Sequence, residues 1–164
     1  MPLRTLRSLR SDMMGPMTRE VAEVPVEATF ALRKQLLRSD RADLGLRMPD
    51  DDLPGAFHLA VFDGTGEAVG VATCTPSNPE FDARQPAYRL RQMAVHPDYQ
   101  GQRVGSALFA AALSRLRAQR VATLWAESRD TSLGFYTAHG MRAVPERHHT
   151  VRGVAYTDVV LDLG

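Results

Sequence analysis

The chain has 164 residues and a mass of 18.1 kDa, enough for one domain with a sizeable hydrophobic core. An apolar fraction of 44%, a charged fraction of 24% and a net charge of +1 describe an ordinary globular protein, with no field that would select nucleic acid or an anionic membrane surface. The lone cysteine, Cys74, cannot close an internal disulfide, no apolar run is long enough to cross a bilayer, and a cytoplasmic location is expected.

In residues 1–17, Leu3, Leu6 and Leu9 alternate with Arg4, Arg7 and Arg10 until Gly15-Pro16 ends the pattern. A transit peptide can start in this way. The plainer reading is a flexible extension ahead of a single domain spanning 18–164. Residues 19–24 read as a strand. Phe30, Leu32, Leu36 and Leu37 then give an apolar helical stripe that begins at Pro25 and runs to Arg38. The segment 39–55 is rich in Asp, Gly and Pro and reads as a loop with at most a short helix. Strands are expected at 58–62 and 68–75, joined by a hairpin at Asp63-Gly64-Thr65-Gly66. A second loop covers 76–86, and a further strand covers 88–95.

The clearest helix is expected at 101–119, where Val104, Leu108, Ala112 and Leu116 recur at four-residue steps. A buried strand at 121–128, a short helix at 132–139 stopped by Gly140, and strands at 142–151 and 156–163 around Gly153 complete the chain. Trp125 reads as core, and Cys74 as a small buried hydrophobe. This order predicts an α/β chain (an α+β mixed sheet), with a central mixed sheet flanked by helices.

The most informative stretch is residues 90–109, LRQMAVHPDYQGQRVGSALF, where a strand meets a glycine-containing turn that opens into the long helix. Unpaired N–H groups of such a turn, helped by the helix dipole, can receive phosphate groups. A side chain at Gly101 or Gly105 is expected to hold such a ligand away from the backbone, and Ser106 can add a hydroxyl donor. No Lys-Ser or Lys-Thr follows the glycines, so a nucleotide P-loop is excluded, and the spacing does not fit a dinucleotide fold.

These residues resemble the signature of the GNAT superfamily of acetyl-CoA-dependent N-acetyltransferases, an apolar strand end followed by Q/R-x-x-G-x-G/A. Met93-Ala94-Val95 match the strand end, Gln100 the polar residue and Gly105 the last position. Residues 129–141, RDTSLGFYTAHGM, resemble the later A-x-x-F-Y-x-x-x-G-F segment of that family. Arg103 stands where the family prefers glycine, and Met141 where it has phenylalanine.

The resemblance implies a GNAT-like acyl-CoA N-acyltransferase fold and direct transfer of acetyl from acetyl-CoA to a primary amine of a small molecule or peptide, without a metal. The CoA pyrophosphate would lie on Gln100, Gly101, Gln102, Arg103, Val104, Gly105 and Ser106. The pantetheine arm would pair with Met93, Ala94 and Val95, and the Val95 N–H would face the thioester carbonyl. Tyr136 is the candidate general acid toward the departing thiolate, against the plainer reading of an aromatic packing pair with Phe135. Arg129 can contact CoA or serve as a cap.

Where the family often has a glutamate on the strand before Met93, this chain has Arg89, Arg91 and Gln92. Glu127, His148 and His149 are candidates for the base, and none is assigned. The acidic run of Asp40, Asp43, Asp50, Asp51 and Asp52 would suit a cationic amine. Alternatives are a non-catalytic acyl-CoA-binding sensor with the same fold and, less compatible with the residues, a nucleotide-binding protein. Family analogy suggests a homodimer.

Overall fold

In a computed structural model of the chain, residues 20–37 and 45–164 are described. The expectations for residues 1–17 and for Arg38, Asp40 and Asp43 lie outside these. Seven strands form one mixed sheet in the order β1-β2-β3-β4-β5-β7-β6. Strand β1 (Ala22–Val24) pairs antiparallel with β2 (Phe57–Phe62). The tight turn after β2 forms at the expected place, with the Asp63 carboxylate accepting the N–H of Thr65 at 2.8 Å, and leads into β3 (Ala68–Pro76). Strand β4 (Ala87–Val95) runs beside β3 and parallel to β5 (Thr123–Arg129). Strands β6 (Arg142–Val151) and β7 (Val154–Asp162) close the sheet as a hairpin.

The helices cover both faces. Helix α1 is a composite of a 3-10 turn (Val26–Thr29), an α turn (Phe30–Leu32) and a wide π turn (Arg33–Leu37). It packs Leu32 on Ala60, Val71 and Ala94 of β2, β3 and β4. Helix α2 (Val104–Ala118) buries its whole apolar stripe, Val104, Leu108, Ala112 and Leu116, against the opposite face. Gly70 of β3 permits that approach, because a Cβ there would stand 2.5 Å from a methyl of Val104. Helix α2 begins three residues later than its periodicity suggests, since Gly101 (φ +76°) and Arg103 (φ 63°) are left-handed and interrupt any helix.

Helix α3 (Leu133–Ala138) ends in a Schellman closure, with the N–H of Met141 on the Tyr136 carbonyl and the N–H of Gly140 on that of Thr137, both at 3.1 Å. Gly140 supplies the left-handed residue (φ +91°), and Met141 is buried beneath the helix in the family's phenylalanine position. Trp125 is core, with Val144 and Val160, and its indole N–H donates to the Ser77 carbonyl at 2.9 Å.

The π turn of α1 and residues 45–55 are tied together from within. The Arg33 guanidinium is fully buried and donates to both oxygens of Asp51 at 2.6 and 3.0 Å, to the Leu46 carbonyl at 2.9 Å and to the Thr73 hydroxyl at 2.8 Å. Thr73 also contacts the His58 ring nitrogen Nδ1 at 2.8 Å. The Pro49–Asp52 3-10 turn carries these acids, so the segment read as a loop is anchored rather than free.

Candidate active site

Strands β4 and β5 pair only at Ala87–Thr123, Tyr88–Leu124 and Arg89–Trp125, and then part. The cause is a bulge in β4. Its register against β3 shifts between Val71 and Thr73, and Gln92 takes a left-handed conformation (φ 53°). The parting opens a cavity of about 930 Å³, lined by both strands, the 99–106 turn and the start of α3. That volume suits a ligand of cofactor size.

The N–H of His96 donates to the Val69 carbonyl of β3 at 2.8 Å, so the alternation of an extended strand turns the N–H and C=O of Val95 the other way, toward the gap. The Gln100 side-chain amide confirms this phase by donating to the Val95 carbonyl at 3.3 Å. Gln100 thus serves the strand end in this structure, although it also lines the cavity.

Around the turn, Ala107 donates the first intrahelical bond, to the Arg103 carbonyl at 3.0 Å. The N–H groups of Arg103, Val104, Gly105 and Ser106 have no backbone acceptor among the described residues, which is the donor set an anion requires. Gly101, Arg103, Val104, Gly105 and Ser106 line the cavity, whereas Gln102 turns its amide to the Asp98 carbonyl at 3.1 Å. The left-handed φ of Arg103 explains the family's glycine at this place. No side-chain hydrogen bond or ion pair engages Arg103 or Arg129 among the described residues, and both line the cavity.

At two positions of the turn the structure adds contacts that the sequence did not suggest. A Cβ on Gly105 would point at the Phe135 ring, 3.2 Å from Cε2, with the Met93 methyl at 3.7 Å, so the glycine makes room for α3. The Ser106 hydroxyl lies 2.9 Å from His139 Nε2, whose Nδ1 lies 2.7 Å from the Phe135 carbonyl. A carbonyl only accepts, so Nδ1 carries a proton, and in the neutral ring Nε2 accepts the Ser106 hydroxyl. Phe135 is hemmed in by Phe109, Tyr136 and His139. Gly105→Ala is therefore expected to lower the melting temperature of the unliganded protein, because overpacking costs about 1–3 kcal/mol against at most about 1 kcal/mol of helix gain. Thermal denaturation of the purified variant checks this, and a higher Tm would show that the ring yields freely.

Tyr136 is 9% exposed and lines the cavity. Burial, with a smaller contribution from Cys74, pushes its phenol up to about 12, so it is a protonated donor at neutral pH. Burial likewise pushes the Cys74 thiol up to about 12, which fits a core residue and not a nucleophile.

Of the three base candidates, only Glu127 reaches the cavity wall. One of its oxygens takes the Arg89 guanidinium at 2.7 Å, and the other lies 3.7 Å from His149 Nε2. His149 stacks on Tyr156, with ring centroids 5.6 Å apart, and donates Nδ1–H to the Arg147 carbonyl at 3.0 Å. His148 is drawn away to Asp130 at 3.2 Å. Pairing of Glu127 with Asp158 across β5 and β7 gathers Glu127, His149 and Asp158, with one ligating atom from each within 4.8 Å of the others. Linear spacing gave no hint of this group. Both carboxylates already carry an arginine, Arg89 on Glu127 and Arg147 on Asp158 at 3.1 Å. Sequence reasoning also missed Tyr156, Leu36 and Leu37 on the wall.

The model of the acetyltransferase (GNAT) family matches residues 21–141. The chain belongs to the GNAT acetyltransferase family. It is 32% identical over 128 residues to the uncharacterized N-acetyltransferase YitI of Bacillus subtilis (strain 168), covering 77% of this chain and 85% of that protein. Solved structures share the fold at lower identity. A GNAT-family acetyltransferase from Staphylococcus aureus Mu50 superposes with a TM-score of 0.64 at 14% identity, over 88% of this chain and 99% of that one. An aminoglycoside 6'-N-acetyltransferase complexed with coenzyme A gives 0.70 at 10% identity, over 88% and 97%. This GNAT acetyltransferase thus shares its overall fold with those solved structures. No helix among the described residues is long and apolar enough to cross a membrane.

Proposed function

We propose that this GNAT acetyltransferase transfers acetyl from acetyl-CoA directly to a primary amine within the cavity between β4 and β5. The observation that carries the reading is the conjunction of three features at one opening: unpaired N–H groups at the start of α2, a strand edge left bare by the bulge, and a buried, protonated Tyr136. The pyrophosphate would rest on the N–H groups of Arg103 to Ser106, with Arg103 adding charge. The pantetheine amides would pair with the β4 edge at Met93 to Val95.

Attack by the amine nitrogen on the thioester carbon puts negative charge on the carbonyl oxygen, which the Val95 N–H is oriented to stabilise. The C–S bond then breaks and the thiolate leaves. A free thiol titrates near ~8.5, well below the Tyr136 phenol, so Tyr136 stabilises the sulfur chiefly by a hydrogen bond. Glu127, the carboxylate among the described wall residues, would receive the proton that the amine releases.

Acetyl-CoA is expected to raise the melting temperature, since a ligand at about 100 times its Kd adds about 2.7 kcal/mol to the folded state. ATP and NAD at the same concentration should do far less. A thermal-shift series with all three ligands checks this, and absence of any shift or calorimetric heat with millimolar acetyl-CoA would sink the reading. Release of free CoA thiol across an amine panel separates catalysis from mere binding.

A further inference from the structure

The acceptor end of the cavity is basic. Its wall contains Arg89 and Arg91 of β4, two positions apart on one face of the sheet, and a single carboxylate, Glu127, among the described lining residues. Each described acid of the 50–52 run is held by an arginine, one of them by Arg91 itself. Asp50 is bound by Arg91 at 2.5 Å, Asp51 by Arg33 within the core, and Asp52 by Arg47 at 2.6 Å. The acidic run therefore offers no described carboxylate that lacks an arginine.

Each of the two wall arginines keeps donors in hand. A guanidinium has five N–H groups. Among the described residues, Arg89 makes one side-chain hydrogen bond, to Glu127, and Arg91 makes one, to Asp50. Their side chains are 21% and 16% exposed. Burial, and after it the charge of Arg91, holds the Arg89 guanidinium below its ordinary value, against the opposing pull of Glu127, Asp50 and Asp158. Glu127 is occupied in turn by Arg89 and faced by His149. A polycationic acceptor would meet like charge here. Leu36 and Leu37 of the π turn supply an apolar stretch on the same wall.

We propose that the acceptor is an amine that also carries a carboxylate, of the free amino-acid type, with the carboxylate received by Arg89 and Arg91 and the amine directed toward the Val95 end of the gap. Guanidinium groups bind carboxylates by short, charge-assisted bonds and set their orientation. The paired arginines thus stand where the family often has a glutamate because here that stretch of β4 anchors the acceptor's anionic end. The proposal rests on the acetyl-transfer reading.

The test measures acceptor-dependent thiol release from acetyl-CoA with a panel of free L-amino acids, each beside its α-carboxamide, and with spermidine. The carboxamides have the more readily deprotonated amines, so a preference for the acids must come from the protein. At least one acid should exceed its amide tenfold or more in kcat/KM, and spermidine should be inert. Arg91→Gln should raise KM for that acid tenfold or more, while KM for the amide and the thermal shift with acetyl-CoA stay within twofold of wild type. Asp50→Asn, which releases Arg91 from its present partner, should lower KM for the acid.

Equal or better use of the amides or of spermidine overturns the proposal. So does failure of every free amino acid with a protein that acetyl-CoA stabilises, or a raised KM in Asp50→Asn. Loss of the acetyl-CoA shift in the wild-type protein would instead remove the acetyl-transfer reading beneath it.

Discussion

Arg33→Ala is expected to destabilise the fold by about 3–5 kcal/mol, the typical cost of removing one partner from a buried ion pair. The guanidinium and the Asp51 carboxyl are both fully shielded from water, and their loss of hydration is offset by each other, by Leu46 and Thr73 for Arg33, and by the Met48 N–H for Asp51. Without Arg33, Asp51 would stay buried as an uncompensated charge or take up a proton. Urea denaturation monitored by circular dichroism measures the difference, and a change under 1 kcal/mol would show that the cluster is idle. The pH response follows from the same pair. Burial acts most strongly, to raise the Asp51 carboxyl, but the bonds from Arg33 and the Met48 N–H, with the charge of Arg33, together outweigh it and the net shift is downward. A depressed carboxyl contributes stability above its unfolded value, near ~3.9, and loses it as pH falls through its folded value. The wild type should therefore lose this stability in acid, whereas an Arg33→Met, Asp51→Leu double variant should show a flatter acid limb.

Tyr136→Phe is expected to lower kcat about ten- to hundredfold, the scale of one hydrogen bond to a charged group, with acetyl-CoA affinity held within about twofold. The ring keeps its place between Phe135 and the core, so only the donor is lost. Steady-state thiol release at saturating acceptor, set beside calorimetric titration with acetyl-CoA, separates the two quantities. An unchanged kcat would return Tyr136 to a packing role.

The strand and helix order was legible in the chain because the patterns are local. Val104 to Leu116 repeat along one helix face, and Asp63 to Gly66 specify a turn with their own side chains and backbone. The two motif segments also singled out the 99–106 turn and the Tyr136 helix, which line one cavity. What stayed hidden depends on strands far apart in sequence. The bulge at Gln92 left no mark, because a glutamine forced to positive φ looks like any other strand residue. The grouping of Glu127, His149 and Asp158 exists only through the β5–β7–β6 register. The acidic run read as a lure for cations, since nothing local showed that Arg33, Arg47 and Arg91 would claim Asp51, Asp52 and Asp50. Gly105 read as part of the phosphate cradle, and only packing showed what its missing side chain spares.

The parting of β4 from β5 gives this sheet a third margin, placed inside the molecule instead of at its rim. An exposed margin invites another protein strand and, with it, aggregation. Here the unsatisfied backbone lies at the bottom of a cavity between α2 and α3, and Gln100 already shields the carbonyl of Val95. The fold can thus carry a strand-pairing surface in the middle of its sheet without the risk of polymerising through it.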